Sequence, residues 1–334
     1  MSTDLIERPL REAIGAAKEA SVLAPRHVAI AAPTLNRPEG LRQLLEGLSR
    51  LTFKRVPEPR ITIIIIDNDL TPTAEAIVDA CRPRLRWPVI YHHEPRRGLV
   101  YARNAQLETA PATADWLAMI DDDEVPVPDW LDSLLATALA HEAHFVAGPV
   151  LPHFVREAPR WAREGGFFEV GPLEDGAPID FLYTGNVLMA LAPVRAAGWR
   201  FEMAFNHSGG EDEQFFRHAL RTGLKAVCAA DAKVLETISP SRATPSWVLR
   251  RYFRMGTTIA AMELMHDASL GVRVRRGLKG TTRMLIGLVT MGRAIATGSV
   301  DMVTGLSDVA RGCGAIFGVF GIRYAEYRPG GRAR

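Results

Sequence analysis

The feature that most constrains the fold is a run of β-branched residues at positions 61–66, Ile-Thr-Ile-Ile-Ile-Ile, which ends at Asp67. β-Branched side chains favour strands. The run also lacks the apolar-polar alternation that is typical of a strand with one face in water. The sequence therefore predicts a strand that is buried on both faces of a sheet.

Strands and helices alternate along the first half of the chain. The predicted strands cover residues 27–32, 61–66, 89–91 and 116–120, and the predicted helices cover residues 41–48, 74–81 and 99–110. This alternation is typical of an α/β fold, and it predicts a mostly parallel sheet with helices on both faces.

The remaining chain divides by composition. Residues 1–26 have helical apolar spacing and no signal-peptide pattern, which predicts an N-terminal helical lead. Residues 148–245 contain many Gly, Pro and aromatic residues, with one helix predicted from Glu211 to about Thr222. Residues 246–334 are helical and basic, which predicts a C-terminal helical extension.

Composition excludes several classes of protein. The formal net charge of +2 is too small to indicate nucleic acid as the main partner. The three cysteines are dispersed, which argues against a disulfide framework or a structural zinc site and favours the cytosol. No GxGxxG follows an early strand, and GxxxxGK[ST], HExxH and GxSxG are absent, so most dehydrogenases, P-loop enzymes, metalloproteases and serine hydrolases are disfavoured.

Three adjacent carboxylates, Asp121, Asp122 and Asp123, follow the strand predicted at 116–120. Asp67 also follows a strand, so these side chains fall at the sheet edge where α/β proteins bind ligands. Crowded carboxylates raise one another's pKa unless a cation lies between them. Their oxygens suit Mg²⁺ or Mn²⁺ shared with substrate phosphates, which predicts a metal site. A solvated acidic turn is the simpler alternative.

A second acidic cluster, Glu211-Asp212-Glu213, follows two glycines and precedes an apolar helical pattern. Acidic residues in a first helical turn stabilise the helix dipole, so capping is one interpretation. The other is catalytic, because a carboxylate within reach of an acceptor hydroxyl can remove its proton. The residues alone favour neither interpretation.

Two further segments could contact a ligand at the same edge. The segment from Pro33 to Arg37 follows the first strand, and a simple turn is its alternative role. Arg103 lies near the start of a predicted helix, where backbone N–H groups and a guanidinium together can bind phosphate. Arg103 could equally form a surface ion pair.

Taken in order, these elements resemble the family 2 glycosyltransferases of GT-A fold, over about residues 27–254. The motifs are Pro33-Thr34-Leu35-Asn36-Arg37, Asp67-Asn68, Gly98 with Ala102-Arg103-Asn104, Asp121-Asp122-Asp123-Glu124, Thr184-Gly185-Asn186 and Gly210-Glu211-Asp212. The acidic and Thr-Gly-Asn motifs look closest to the branch of succinoglycan-type β-glucosyltransferases of bacterial exopolysaccharide assembly. The resemblance implies a GT-A catalytic domain at 27–245, with a nucleotide-binding half at 27–147 and an acceptor half at 148–245.

The resemblance implies a donor site that spacing alone does not give. Thr34, Asn36 and Asp67 would hold the nucleoside, commonly uridine, with Arg103 near the nucleotide. Pro33 and Arg37 belong to the same predicted donor site.

The resemblance also implies the catalytic roles. Asp121 and Asp122 would contact ribose or donor sugar, and Asp123 would bind the divalent metal, Mg²⁺ or Mn²⁺. Asp212 would be the catalytic base, and Glu211 would shape the acceptor site. The expected reaction is inverting transfer of a hexose, commonly from UDP, to a glycan or polyprenyl-linked hydroxyl.

Many family members carry a QxxRW motif after the base, and this chain lacks it. Arg250 and Arg251 occupy a similar place, so they are expected to contact phosphate or acceptor. The basic region after them has two interpretations, which are helices that pack on the catalytic domain and an amphipathic platform attracted to anionic lipid. Its apolar runs are shorter than the roughly 18 residues of a spanning helix. The platform would place the enzyme at the inner face of the cytoplasmic membrane.

Two rival functions remain open at this point. A nucleotidyltransferase also combines such a sheet with aspartate-bound metal, but it would normally show a Gly-rich basic loop where residues 33–37 stand. A non-catalytic protein that binds sugar nucleotides or polysaccharide is the other rival, and the intact carboxylate set argues against it.

Overall fold

The computed structural model describes residue 12 and residues 14–16, 26–171, 174–297, 301–322 and 324. Most of the predicted N-terminal lead lies outside these residues. The strands are β1 (His27–Thr34), β2 (Arg60–Asp67), β3 (Val89–His93), β4 (Trp116–Ile120), β5 (Glu124–Pro126), β6 (Phe145–Ala147), β7 (Val150–Phe154), β8 (Asn186–Ala190), β9 (Ala226–Cys228) and β10 (Val234–Ile238). The helices are α1 (Pro38–Ser49), α2 (Glu75–Cys81), α3 (Leu99–Thr109), α4 (Trp130–Ala140), α5 (Arg160–Glu164), α6 (Leu191–Ala197), α7 (Glu211–Arg221), α8 (Pro245–His266), α9 (Leu270–Thr297) and α10 (Asp301–Val319).

The main sheet has seven strands in the order β3-β2-β1-β4-β8-β6-β9. Strand β1 pairs in parallel with both β2 and β4, and β2 pairs in parallel with β3. Strand β8 is antiparallel to both of its neighbours, β4 and β6. The sheet is therefore mostly parallel, as the sequence predicts, with one reversed strand inside it.

The β-branched run forms β2, and residues 61–67 are all buried. Helix α1 buries the apolar face that the leucine spacing predicts, with Leu41, Leu44, Leu45 and Leu48 all without exposed surface. These side chains join one hydrophobic core with the β1, β2 and β4 residues. Burial of such a face, more than helix propensity, stabilises a helix of this length.

The strand register brings the predicted site residues to one edge. Thr34 at the end of β1 lies opposite Asp67 at the end of β2. Strand β4 runs parallel to β1 and ends at Ile120, immediately before the three aspartates. Because these three strands are parallel neighbours, their carboxyl ends meet at the same edge, as expected.

The chain separates into two compact units. The first contains residues 1–151, 170–203 and 211–237, which include the whole seven-stranded sheet. The second contains residues 152–169, 204–210 and 238–334. A small sheet of order β5-β10-β7 is also present, with β5 and β10 antiparallel.

The second unit is built on helices α8, α9 and α10. An aromatic cluster packs beside the start of α8, where the rings of Phe168 and Trp247 stack with centroids 5.8 Å apart. Glycines allow the three helices to approach closely. A Cβ atom on Gly287 would lie 2.5 Å from the carbonyl oxygen of Gly305. No helix among the described residues is both long and apolar enough to cross a bilayer.

The Thr-Gly-Asn motif has a structural role in the first unit. Asn186 is buried, and its amide nitrogen donates to the carbonyl oxygens of Pro149, at 3.0 Å, and Ala232, at 2.7 Å. Its amide oxygen accepts from the indole nitrogen of Trp130 at 2.7 Å. One side chain thus connects four separate segments of the fold.

We predict that Asn186→Ala lowers the free energy of unfolding by about 3 kcal/mol or more, because it leaves several buried polar groups without partners. Urea unfolding followed by circular dichroism measures the change. Gln43→Ala is the control, since its amide donates an exposed hydrogen bond to Glu39, and we expect a change below about 0.5 kcal/mol. Equal stability of the two variants would contradict this role.

Candidate active site

The turn after β1 directs Arg37 back towards the acidic triplet. Asn36 has a φ of 51°, in the left-handed region that Asn tolerates better than most residues. Helix α1 then begins at Pro38, whose fixed φ suits a first helical turn. The Pro33–Arg37 segment is therefore a turn that also places a guanidinium at the site.

Arg37 bridges two of the three aspartates. Its Nη1 atom lies 2.8 Å from Oδ1 of Asp122 and 2.9 Å from Oδ2 of Asp123. Burial disfavours the charged guanidinium, but the two carboxylates more than offset this and raise the pKa of Arg37. The guanidinium of Arg37 thus relieves part of the electrostatic repulsion among the three aspartates.

Asp122 is the most enclosed of the three carboxylates. Its Oδ2 atom accepts a hydrogen bond of 2.8 Å from the hydroxyl of Thr34. Burial raises the pKa of Asp122 to about 6, although Arg37 opposes the change. Thr34 therefore joins the end of β1 to the triplet after β4.

Glu124 stabilises the acidic turn through a hydrogen bond to its backbone. Its Oε2 atom accepts from the backbone N–H of Asp121 at 2.9 Å, and the carboxyl is buried. Burial and the neighbouring Asp121 raise the pKa of Glu124 well above its ordinary value. A Cβ atom on Gly185 would lie 2.6 Å from Oε1 of Glu124, which explains the glycine in the Thr-Gly-Asn motif.

Arg103 connects the triplet with the second acidic cluster. It is buried on α3, and its Nη2 atom lies 2.7 Å from Oδ1 of Asp121. Burial lowers the pKa of Arg103, but Asp121, Glu211 and then Asp212 overcome this effect and raise it. The two acidic clusters, which are 90 residues apart from Asp121 to Glu211, therefore both act electrostatically on one buried guanidinium.

Glu211 and Asp212 begin helix α7. Both stand in the first turn, where negative charge is stabilised by the helix dipole. Glu211 is buried, and Asp212 is half-buried. Capping and a functional role are compatible here, because the same turn contributes electrostatically to Arg103.

Asp67 is fully buried at the end of β2. Its carboxylate accepts from the backbone N–H groups of Ala74, at 2.8 Å, and Asp69, at 3.2 Å, and from the Tyr91 hydroxyl at 2.8 Å. Burial and this bond raise the pKa of Tyr91. Asp67 thus holds the loop that follows β2, and its contact with a nucleobase stays a prediction.

Arg250 and Arg251 belong to helix α8 of the second unit. The guanidinium of Arg251 lies 5.3 Å from the ring centroid of Trp247, within the range of a cation–π contact. Their contact with phosphate or acceptor stays a prediction.

The family model of glycosyl transferase family 2 matches residues 29–196, which is just over half of the chain and includes the turn after β1, Asp67 and the acidic triplet. The chain belongs to this family. The resemblance predicted from the motifs is thereby confirmed, and the nucleotidyltransferase alternative is wrong.

Two named relatives are similar to this glycosyltransferase. The succinoglycan biosynthesis protein ExoM of Rhizobium meliloti is 37% identical over 233 residues, which cover 70% of this chain and 74% of ExoM. The glucosyl-dolichyl phosphate glucuronosyltransferase of Haloferax volcanii is 23% identical over 251 residues, covering 72% of this chain and 77% of that protein. The match to ExoM agrees with the succinoglycan-type branch that the motifs indicate.

Among solved structures, the mannosyltransferase PcManGT from Pyrobaculum calidifontis, in complex with GDP-Man and Mn²⁺, matches with a TM-score of 0.55. The identity is 14%, and the match covers 92% of this chain and 98% of PcManGT. At such an identity the similarity shows a shared fold. The predicted GT-A fold is confirmed.

The acidic turn suits a metal that is shared with a ligand. Within the described residues, no group of three or more His, Cys, Asp or Glu could hold a metal ion alone. The side chains of Asp121 and Asp123 are 33% and 17% exposed, whereas that of Asp122 is 6% exposed. One or two accessible carboxylates, completed by phosphate oxygens and water, are the usual protein contribution to Mg²⁺ binding. The donor set therefore fits a divalent cation.

Sequence reasoning missed the structural residues of the site. Glu124 and Asn186 stood in recognised motifs but had no assigned role. The sequence did single out Glu124, because a fourth acidic residue directly after three aspartates is electrostatically unfavourable unless neighbouring groups stabilise it. No pattern in the sequence indicates that the hydroxyl of Thr34 donates a hydrogen bond to Asp122.

The raised pKa of Asp122 has a consequence for stability. Because the folded protein binds this proton more tightly than the unfolded chain, stability from Asp122 is present below pH 3.8 and is lost as the pH rises to about 6. We predict that the free energy of unfolding of the metal-free wild type falls by up to roughly 3 kcal/mol over this range through Asp122, and that Asp122→Asn lacks this part of the decrease.

Urea unfolding across the same pH range in EDTA measures the slopes. Asp129→Asn is the control, because Asp129 is exposed and should leave the wild-type slope unchanged. Identical slopes in wild type and Asp122→Asn would show that the pKa of Asp122 is not raised.

Proposed function

We propose that this glycosyltransferase moves a hexose from a nucleotide-diphosphate sugar, commonly UDP-linked, to a hydroxyl of a glycan or lipid-linked acceptor in bacterial polysaccharide or cell-envelope synthesis. The observation that supports the proposal is the position of Arg103, which forms an ion pair with Asp121 and whose pKa is also raised by the charges of Glu211 and Asp212 on α7. In the proposal, the donor-binding and proton-accepting groups therefore belong to one site. The names of ExoM and of the glucuronosyltransferase support an acceptor of this class.

The donor would bind at the edge formed by β1, β2 and β4. Pro33, Thr34 and Asn36 form the turn after β1, and Asp67 ends the neighbouring strand. In the proposal these residues hold the nucleoside, while Asp121 and Asp122 contact ribose or sugar. Arg37 and Arg103 supply positive charge beside them, which favours a diphosphate.

Asp212 is the proposed catalytic base. It stands in the first turn of α7, where the helix dipole stabilises negative charge. Asp212 would take the proton of the acceptor hydroxyl, whose oxygen attacks the anomeric carbon as the bond to the nucleoside diphosphate breaks. A single displacement of this kind inverts the anomeric configuration. Glu211, buried beside Asp212, would shape the acceptor site.

A divalent cation, Mg²⁺ or Mn²⁺, would be held by Asp123 together with the donor diphosphate. Such a cation stabilises negative charge on the departing diphosphate. PcManGT, with which this chain shares its fold, was solved with Mn²⁺ and GDP-Man. Arg37 contacts the same carboxylate, and it would keep Asp123 oriented before the donor binds.

The proposed acceptor also bears on location. A lipid-linked acceptor would place the enzyme at the inner face of the cytoplasmic membrane, and Arg250 and Arg251 of α8 would contact phosphate or acceptor. Helix α9 carries six basic residues and no acidic residue, which supports attraction to an anionic surface.

We predict that Asp212→Asn lowers the rate of sugar transfer by about 10²-fold to 10⁴-fold, because a general base is lost. Donor affinity should stay within about threefold of the wild type. Release of nucleoside diphosphate measures turnover, and titration calorimetry measures donor binding. Glu213→Gln is the control, since Glu213 is the next residue of α7 and pairs with Arg217 at 2.6 Å. A large loss of donor affinity in Asp212→Asn would assign the residue to the donor site instead.

We predict that chelation with EDTA abolishes donor turnover and that Mn²⁺ restores it. Asp123→Ala should raise the Mn²⁺ concentration needed for half-maximal turnover by about tenfold or more, because it removes a charged ligand. The exposed Asp129→Asn serves as the control variant. Full turnover in EDTA, or an unchanged Mn²⁺ requirement in Asp123→Ala, would count against the proposed metal role.

A further inference from the structure

A groove of about 1010 Å³ is present in the second unit, lined by α8, α9 and α10. Its lining includes Gly256, Gly280 and Gly312. A Cβ atom on Gly280 would lie 2.9 Å from the carbonyl oxygen of Gly312, and one on Gly256 would lie 2.2 Å from that of Arg311. The helices therefore pack backbone to backbone at these glycines.

One wall of the groove is an exposed apolar stripe on α9. Leu270, Val274, Leu278 and Ile286 line it, and each is at least half exposed. Leu270, Val274 and Leu278 follow one another at four-residue intervals, so they share one face of the helix, and Ile286 lines the same groove about two turns further on. Single exposed apolar residues are ordinary, but a continuous stripe along a groove marks a binding surface.

The groove also carries an excess of positive charge. Its basic residues are Arg275, Arg276, Lys279, Arg283 and Arg311, and its acidic residue is Asp308. Arg283 is paired with Asp308 at 2.8 Å, and Arg276 is paired with Glu263.

Among the described residues, two of these cations form no close ion pair, although Glu263 attracts both and Asp267 attracts Arg275 at longer range. Within the part of the chain that the structure describes, neither Arg275 nor Lys279 lies within salt-bridge distance of a carboxylate. They are one turn apart on α9, and both are exposed. An anion at this point of the groove would contact two cationic side chains at once.

We propose that this groove binds the phosphate and the adjoining hydrocarbon of a lipid-linked phosphate. The apolar stripe suits a hydrocarbon chain, and the Arg275–Lys279 pair suits its anionic head. A water-soluble glycan would leave the apolar wall exposed, and a neutral lipid would leave the positive charge unbalanced. The volume is also at the upper end of the roughly 300–1,000 Å³ of small-molecule sites.

The inference rests on the proposed function in one respect, since it assigns the groove to the lipid carrier of the acceptor. General adsorption to an anionic bilayer is the competing explanation. It would depend on all exposed charges of α9, including Arg293, which does not line the groove. Binding in the groove would instead depend more on Arg275 and Lys279 than on Arg293.

The test is flotation of the full chain with phosphatidylcholine vesicles that contain either a polyprenyl phosphate or phosphatidylglycerol, matched in surface potential. We expect the wild type to bind the polyprenyl phosphate vesicles more tightly. Arg275→Gln/Lys279→Gln should weaken that binding by about tenfold or more, because two contacts to the phosphate are lost. Arg293→Gln, on the same helix, should retain it. Inorganic phosphate in excess should compete only partly, since it lacks the hydrocarbon.

A second pair of variants tests the apolar wall. Leu278→Ser should weaken binding to the polyprenyl phosphate vesicles, whereas Ile295→Ser, equally exposed on α9 but outside the groove, should not. Equal binding of the wild type to both vesicle types would overturn the inference, as would wild-type binding by the double variant. All variants should share the thermal unfolding midpoint of the wild type. If the double variant does not, Arg275→Gln and Lys279→Gln are tested separately in its place.

Release of nucleoside diphosphate from the donor is measured on the same preparations. If the wild type turns over the donor but binds both vesicle types equally, the groove assignment is overturned and the proposed function stays intact. Discrimination by a wild type that turns over no donor would overturn the proposed function and leave an amphiphile site.

Discussion

The candidate site depends on the pairing of crowded carboxylates with two arginines. Arg37 contacts Asp122 and Asp123, and Arg103 contacts Asp121. Without these cations, three adjacent negative charges at the end of a buried strand would repel one another, and burial would add a further cost. Because one arginine follows β1 and the other lies on α3, the pairing also ties the β4 end to two other elements. The same ion pairs therefore balance the charge of the site and hold its local fold.

A second layer of residues holds the acidic turn from the side of the core. Glu124 accepts the backbone N–H of Asp121, and Gly185 leaves the space that this carboxyl occupies. The neighbouring Asn186 joins Trp130 of α4 to two backbone carbonyl groups. Buried, fully bonded polar groups specify one geometry, because any alternative leaves donors or acceptors unpaired. The Thr-Gly-Asn motif is thus a scaffold for the turn that precedes β5.

Much of the fold could be predicted from the sequence because its main strands are unbroken apolar runs. Strand β4 has the predicted limits, and β2 extends one residue beyond each end of the predicted run. The placement of Asp67 and the acidic triplet at the same edge of the sheet follows from the rule that parallel strands share a carboxyl edge. The reversed strand β8 could not be predicted, because its apolar residues fit either direction. The pairing of Arg37 with Asp122 depends on side-chain directions 85 residues apart, which no local pattern encodes.

The distribution of charge explains why the net value of +2 was uninformative about binding. Acidic residues concentrate at the sheet edge, where Arg37 and Arg103 balance part of them, whereas α9 carries basic residues alone. A net charge adds both regions together and so conceals the sign of each one. At the sheet edge a cation can complete the balance, and along α9 an anion can add to the pairs that Arg276 and Arg283 form with Glu263 and Asp308.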